Sequence, residues 1–134
     1  MNQNFIYKTS TSRTFDETLK RVQENAGLEG FRPLYVHDVR ATLKEKGFDL
    51  EPTSIVEVCN AGLAFEALKL DPQAALAMPC KVVVEERAGE VTLYTLLPEG
   101  MVQGEALKAL AQKVGFKLIS LLDKAASTPS CCSI

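Results

Sequence analysis

Cys59 and Cys80 are the side chains whose type and position best suit chemistry in this sequence. The pattern predicts that a strand ends at Cys59 and that Asn60 caps the helix that follows. A thiol placed there lies near the positive end of a helix dipole, which favours the thiolate and raises its reactivity. A cysteine that simply packs at the end of a buried strand fits the same pattern, so both interpretations stay open.

Cys80 follows Pro79 at the predicted start of the next strand, so its side chain has a defined direction. If the two strands are neighbours, Cys59 and Cys80 lie at one edge of the sheet. They would then form a redox pair or a soft-metal site. Twenty residues separate them, unlike the close spacing of redox and zinc motifs. Two unrelated core cysteines are therefore the alternative.

His37 is the only histidine, so any Cys-His or Ser-His arrangement would have to use it. Its neighbour Asp38 would favour the charged imidazole. The alternative is that Asp38 caps the next helix, a role that explains this residue completely and leaves His37 as a strand-end residue. A single histidine excludes a multi-histidine metal site, and we expect no metal and no cofactor.

The elements that position these residues follow from hydrophobic periodicity and from capping and turn residues. Predicted strands lie at 4–9, 30–37, 53–59, 80–86 and 90–97. Predicted helices lie at 15–26, 39–46, 61–70 and 104–126. The hairpin and the long last helix indicate an α+β two-layer sandwich. It has an antiparallel or mixed sheet of about five strands, with helices mainly on one face.

Three capping residues and two glycines set the predicted helix limits. Thr14 begins a capping box with Glu17, and Gly27 ends that helix. Gly47 ends the helix that Asp38 caps. The helix at 61–70 is apolar nearly all round, which predicts deep burial.

The last helix carries two apolar side chains, Phe116 and Ile119, that lie off its apolar stripe. Their position predicts a subunit contact and hence a homodimer. Coverage by a terminal segment of the same chain is the alternative. Beyond this helix, 127–134 is expected to be a flexible tail, so the vicinal Cys131 and Cys132 would be exposed there.

The composition fits one domain, expected at 1–126, and excludes some classes of function. The chain has 134 residues, of which 46% are hydrophobic, and a formal charge of −2. It has no concentrated basic face, which argues against nucleic-acid binding. No segment is apolar enough for a signal peptide or a membrane span, so we expect a cytoplasmic protein without a membrane partner.

Several short motifs occur together in this chain. They are Asp38, Thr42-Leu43, Glu45-Lys46-Gly47, Cys59-Asn60, Ala64 with Ala67-Leu68, Asp71-Pro72 and Pro79-Cys80. In this the sequence resembles the prokaryotic family catalogued as domain of unknown function 302, over about residues 5–98. The family often has proline after the cysteine-asparagine pair, whereas this chain has Ala61-Gly62. The resemblance implies an α+β fold and a bacterial origin, and it brings no established reaction.

Three functional hypotheses follow. The leading one is a small-molecule binding site formed by Cys59, Asn60 and Cys80, with His37 and Asp38 as further candidates. The helix-start amides at this site favour an anionic group on the ligand. The second is a thiol-dependent sulfur or redox enzyme or carrier that uses Cys59 with Cys80. The third is a structural homodimer in which the cysteines do no chemistry.

Overall fold

The computed structural model describes residues 5–128 of the chain. The predictions for Cys131 and Cys132 therefore lie outside the described residues. The strands are β1 (Ile6–Thr11), β2 (Arg32–Asp38), β3 (Thr53–Cys59), β4 (Cys80–Arg87) and β5 (Glu90–Leu96). The helices are α1 (Phe15–Leu28), α2 (Val39–Lys44), α3 (Ala61–Leu70) and α4 (Glu105–Ala126). Two short 3₁₀ helices, Pro72–Ala77 and Pro98–Met101, complete the described elements.

The five strands form one sheet in the order β1-β5-β4-β3-β2, and each neighbouring pair is antiparallel. The prediction of an α+β fold is confirmed, and the sheet is antiparallel rather than mixed. β1 and β2 lie at opposite edges, so α1, which joins them, crosses the sheet. β4 is the central strand, and the first residue of this strand is Cys80.

The main core lies between one face of the sheet and the two long helices. Alternate residues of β3 and β4 are fully buried, since successive side chains of a strand point to opposite faces. They meet apolar side chains of α1 and α4, and this burial supplies most of the driving force for folding. The central members of this cluster are Val22, Ala26, Val56, Val58, Val82, Val84, Leu93, Leu118, Leu121, Leu122 and Ala125.

The predicted helix starts are confirmed by their capping hydrogen bonds. The Glu17 amide donates to Thr14 Oγ1 at 3.2 Å, and the Ala41 amide donates to the Asp38 carboxylate at 2.9 Å. One detail differs from the expected capping box. The Glu17 carboxylate accepts from the Thr14 hydroxyl at 3.2 Å rather than from the Thr14 amide.

The predicted stop of α1 at Gly27 is wrong. Gly27 lies inside the helix, which continues to Leu28, and the left-handed residue is Gly30 with φ +82°. The Phe31 amide then donates a hydrogen bond to the Ala26 carbonyl at 2.9 Å, which terminates the helix. Two glycines close together gave the sequence two possible stops, and the closing hydrogen bond selects the later one.

The predicted deep burial of α3 is also wrong. Only Ala67 of this helix is buried, while Phe65 is 64% exposed and Leu70 is 54% exposed. The reason is the position of α3 at the end of the sheet, where it packs on α4 and on the 3₁₀ helix Pro72–Ala77. It therefore buries one face of small side chains and leaves its larger apolar ones outside.

Candidate functional site

The sheet register brings the two candidate cysteines to the same end of the molecule. β3 and β4 are neighbours, and Cys80 pairs with Val58, the residue before Cys59. Both cysteines are free thiols, both are half-buried, and both line one cavity. The sequence-based expectation of a shared location is met by the geometry, although the chemical role of the thiols stays a prediction.

The cavity lies between the end of the sheet, α3, the 3₁₀ helix Pro72–Ala77 and the first half of α4. Its empty space is about 560 Å³ when the open solvent at its mouth is counted. Val58, Cys59, Asn60 and Cys80 form the wall at the strand ends. The other walls are Phe31, Leu63, Ala64, Ala67, Ala74, Ala77, Met78, Pro79, Pro98, Val102, Leu107, Leu110, Ala111 and Val114.

The lining of this cavity is almost wholly apolar. Among residues 5–128, the lining contains no charged side chain, and Asn60 is its one amide side chain. Alanines on α3, on the 3₁₀ helix and on α4 keep the space open, because a larger side chain at any of them would fill it. The arrangement suits an uncharged apolar group and offers no cation to an anionic one.

Asn60 holds the start of α3 at the rim of the cavity. Its side-chain oxygen accepts a hydrogen bond from the Leu63 amide at 3.0 Å, which satisfies one of the free amides of the first turn. The Asn60 side-chain nitrogen also lies 3.2 Å from where a Cβ on Gly30 would be. Because Gly30 has φ +82° as well, the backbone favours glycine there, and a larger residue would also have to displace the Asn60 amide slightly.

The surroundings of Cys80 favour the protonated form of its thiol. Burial raises the pKa of the Cys80 thiol to about 11, and the nearby Cys59 adds to the rise, while Lys81 lowers it. At neutral pH Cys80 is therefore an uncharged thiol that packs as a small polarisable apolar group.

His37 and Asp38 lie elsewhere. Along β2 the partner of Cys59 is Arg32, whereas His37 pairs with Ile55. Ile55 is four residues from Cys59 along β3, so about 13 Å of strand separates His37 from the level of Cys59. The His37 ring is 3.1 Å from the Thr42 hydroxyl, and Asp38 caps α2. The structure does not bring either residue to the cavity.

The predicted contact residues of α4 differ in exposure. Phe116 is 72% exposed, which agrees with its placement off the apolar stripe, whereas Ile119 is half-buried. Neither residue lines the cavity. A subunit contact at this surface stays a prediction.

Sequence reasoning missed most of the cavity wall. Leu107, Ala111 and Val114 belong to the apolar stripe of α4, and periodicity gives a core face and a cavity wall the same signal. The alanines of α3 gave the better indication, since small residues on a packed face mark space that neighbours do not fill. Only the position of α3 relative to α4 shows that this space remains open.

Neither a metal site nor a membrane-spanning helix is found among residues 5–128. Within that range, no group of three or more His, Cys, Asp or Glu side chains is placed to hold a metal ion. None of the helices described there combines the length and the apolar content that a bilayer span requires.

The fold and the site thus define a class of protein: an α+β domain with an apolar, thiol-lined cavity at one end of an antiparallel sheet. A family profile described as "Domain of unknown function DUF302" matches residues 6–125. The chain belongs to the DUF302 family.

A crystal structure of a relative supports this assignment. It is described as an uncharacterized conserved protein DUF302 from Bacillus stearothermophilus, and it is 33% identical with a TM-score of 0.86. The match covers 90% of this chain and 98% of the other. A comparison with curated proteins found no match.

Proposed function

We propose that this protein binds a small uncharged apolar molecule, or the apolar part of a larger one, in the cavity beneath α3. The observation that carries the proposal is the composition of the wall, whose described side chains are hydrocarbon apart from two thiols, one thioether and one amide. Binding there would remove apolar surface from water on both partners, at about 0.8 kcal/mol for each buried CH₂ group.

The polar rim would orient such a ligand. Asn60 and the half-buried Cys59 lie where β3 passes into α3, so a hydroxyl or carbonyl group of the ligand would find its partners at that side. The deeper wall, formed by Ala67, Leu107 and Ala111, would receive the hydrocarbon. This differs from the anionic ligand expected from sequence, because the lining provides no positive charge to balance one.

The thiol-enzyme hypothesis is the second candidate, since two free cysteines line one cavity. Its weakness lies in Cys80, whose raised pKa leaves it protonated at neutral pH and slow to attack a disulfide. We therefore propose binding rather than catalysis. The pH dependence of alkylation at Cys59 is the measurement that distinguishes the two.

A matched pair of probes tests the proposal. Hexan-1-ol and hexanoate have the same chain and differ in charge, and their binding is followed by the backbone amide signals in a heteronuclear NMR titration. We expect hexanol to cause saturable shifts at Ala64, Ala67 and Ala111, and hexanoate to bind more weakly at the same residues. Tighter binding of hexanoate would restore the anionic hypothesis.

Variants on α3 locate the binding. Ala64→Leu places a larger side chain in the cavity, and we expect it to weaken hexanol binding about tenfold, the loss of roughly two buried CH₂ groups. Ala61→Leu on the same helix is the control, because Ala61 is exposed and does not line the cavity. Equal affinity in both variants, or no saturable shift in the unmodified protein, would contradict the proposal.

A further inference from the structure

The sheet has a second face, directed away from α1 and α4. We call it the outer sheet face and define it by Ile6, Ile55, Lys81, Val83, Glu85 and Tyr94 with their neighbours in the same pleat. These residues alternate with the fully buried ones of the main core, so they point to the opposite side. Five adjacent strands thus present several apolar side chains on one surface.

Little of the described chain covers this face. The buried residues of α1 and α4 belong to the core on the other side of the sheet. Among residues 5–128, α2 is the remaining helix with substantial sheet contact, and it contacts β3. Its Thr42 meets His37 at the β2 corner of the face. On the same edge strand the Tyr35 ring is 60% exposed.

The apolar surface continues past the ends of the strands. Leu76 is 89% exposed and Met101 is 42% exposed. Both flank a shallow groove whose other walls include Leu96 and Lys81 of the sheet. A leucine that protrudes beside an uncovered sheet face extends the area that a partner would bury.

The charges of the face are arranged for a second copy of the same chain. On the central strand, Lys81 and Glu85 lie two residues to either side of Val83, about 7 Å away in each direction. A two-fold axis that passes Val83, parallel to the sheet and perpendicular to β4, exchanges these two positions. It therefore sets Lys81 opposite the partner's Glu85 twice across one interface.

The rest of the face does not oppose this pairing. Lys8, Arg32, Lys81 and Arg87 in this pleat are nearly matched in number by Glu57, Glu85 and Glu90, and Glu57 lies directly across from Lys81 on β3. Glu85 accepts a hydrogen bond from the exposed Arg87 at 3.1 Å, and its own side chain is 13% exposed. Two such surfaces carry nearly balanced charge, so their net repulsion is small.

We infer that the outer sheet face is the interface of a two-fold homodimer in which Lys81 lies against the partner's Glu85. This interface differs from the surface around Phe116, which lies on α4, a helix packed on the opposite side of the sheet. The inference does not depend on what the cavity binds, because the cavity and the face are formed by different side chains. They adjoin only at the groove beside Cys80, among the described residues.

Charge reversal on the full chain tests the inference by light scattering after size exclusion. The unmodified protein should have about twice the chain mass of 14.6 kDa. Lys81→Glu and Glu85→Lys each create two like-charge contacts, and we expect each to weaken dimerisation on the order of 100-fold. An equimolar mixture of the two variants should restore the dimer, because every contact then joins opposite charges.

The mixture makes the test specific, since a variant that merely misfolds would not be rescued by another. Circular dichroism of each variant alone checks that the fold is kept. Lys113→Glu, an exposed charge reversal on α4, should leave the dimer intact. A monomeric unmodified protein, single variants that remain dimeric, a mixture that stays monomeric, or a dimer lost only with Phe116→Ser would each overturn the inference.

Discussion

Cys59 and Cys80 line the same cavity wall, and burial in that wall changes the pKa of the Cys80 thiol. Burial comes first among the causes that raise the Cys80 pKa, so the thiol form is favoured by the fold. The folded state binds that proton more tightly than the unfolded chain does. The protonated Cys80 thiol therefore makes its full contribution to the stability of the fold below the unfolded pKa of roughly 8.5. That contribution is lost as pH rises through about 11.

The first prediction concerns alkylation of Cys80, followed by mass spectrometry with Cys131 and Cys132 changed to serine. We expect slow labelling at neutral pH and a midpoint near 11, because the reactive thiolate forms only there. Cys59→Ser should shift that midpoint downward, since Cys59 contributes to the raised pKa. A Cys80 midpoint near the roughly 8.5 of a free thiol would contradict this account.

The same labelling experiment decides between the two interpretations of Cys59. Rapid labelling with a midpoint well below roughly 8.5 would reveal an accessible, activated thiolate and would favour sulfur or redox chemistry. Labelling only after unfolding would show that the residue packs against its neighbours and would leave the cavity as a non-covalent site.

Helix starts could be predicted residue by residue, because a cap is a contact within four positions of the chain. Thr14, Asp38 and Asn60 all accept the expected amide hydrogen bonds. The burial of α3 could not be predicted this way. An apolar composition indicates that a helix could be buried, but the packing partners decide whether it is. Among the described elements, α3 has substantial contact with α4 and with the 3₁₀ helix Pro72–Ala77 alone.

The second prediction concerns the Asn60 cap. Asn60→Ala removes the acceptor for the Leu63 amide and should lower the free energy of unfolding by about 1 kcal/mol. Asn60→Asp keeps an acceptor and is the matched control, so its stability should stay near that of the unmodified protein. Both are measured by urea unfolding at one protein concentration, since dimerisation would otherwise change the apparent stability. A loss as large for Asp as for Ala would show that Asn60 acts through its amide nitrogen instead.

For the whole molecule, fold class could be predicted and topology could not. The strand patterns and the two-residue hairpin turn at 88–89 are local, and they are sufficient to indicate an α+β protein. The order β1-β5-β4-β3-β2 depends on contacts between distant segments, which no local pattern encodes. The shared position of Cys59 and Cys80 could be predicted only conditionally, because it requires that β3 and β4 be neighbours.

That topology also separates two apolar clusters, one in the main core and one in the wall of the cavity. The main one joins the sheet to α1 and α4, and it is packed without exposed members. The smaller one consists of Ala67, Ala74 and Leu107, and all three residues line the cavity. The first cluster would then hold the fold, while the second shapes the space that a ligand would enter.

The last prediction compares the two clusters with the same substitution on the same helix. Leu118 is fully buried in the main core, so Leu118→Ala should cost about 3–5 kcal/mol of unfolding free energy. Leu107 already borders open space, so Leu107→Ala creates less new cavity surface and should cost nearer 2 kcal/mol.

Leu107→Ala also enlarges the cavity, and we expect this variant to bind octan-1-ol more tightly than the unmodified protein does. Urea unfolding and an NMR titration measure the two effects. If Leu107→Ala cost as much as Leu118→Ala without a gain in octanol affinity, the second cluster would be ordinary core and the cavity would have no binding role.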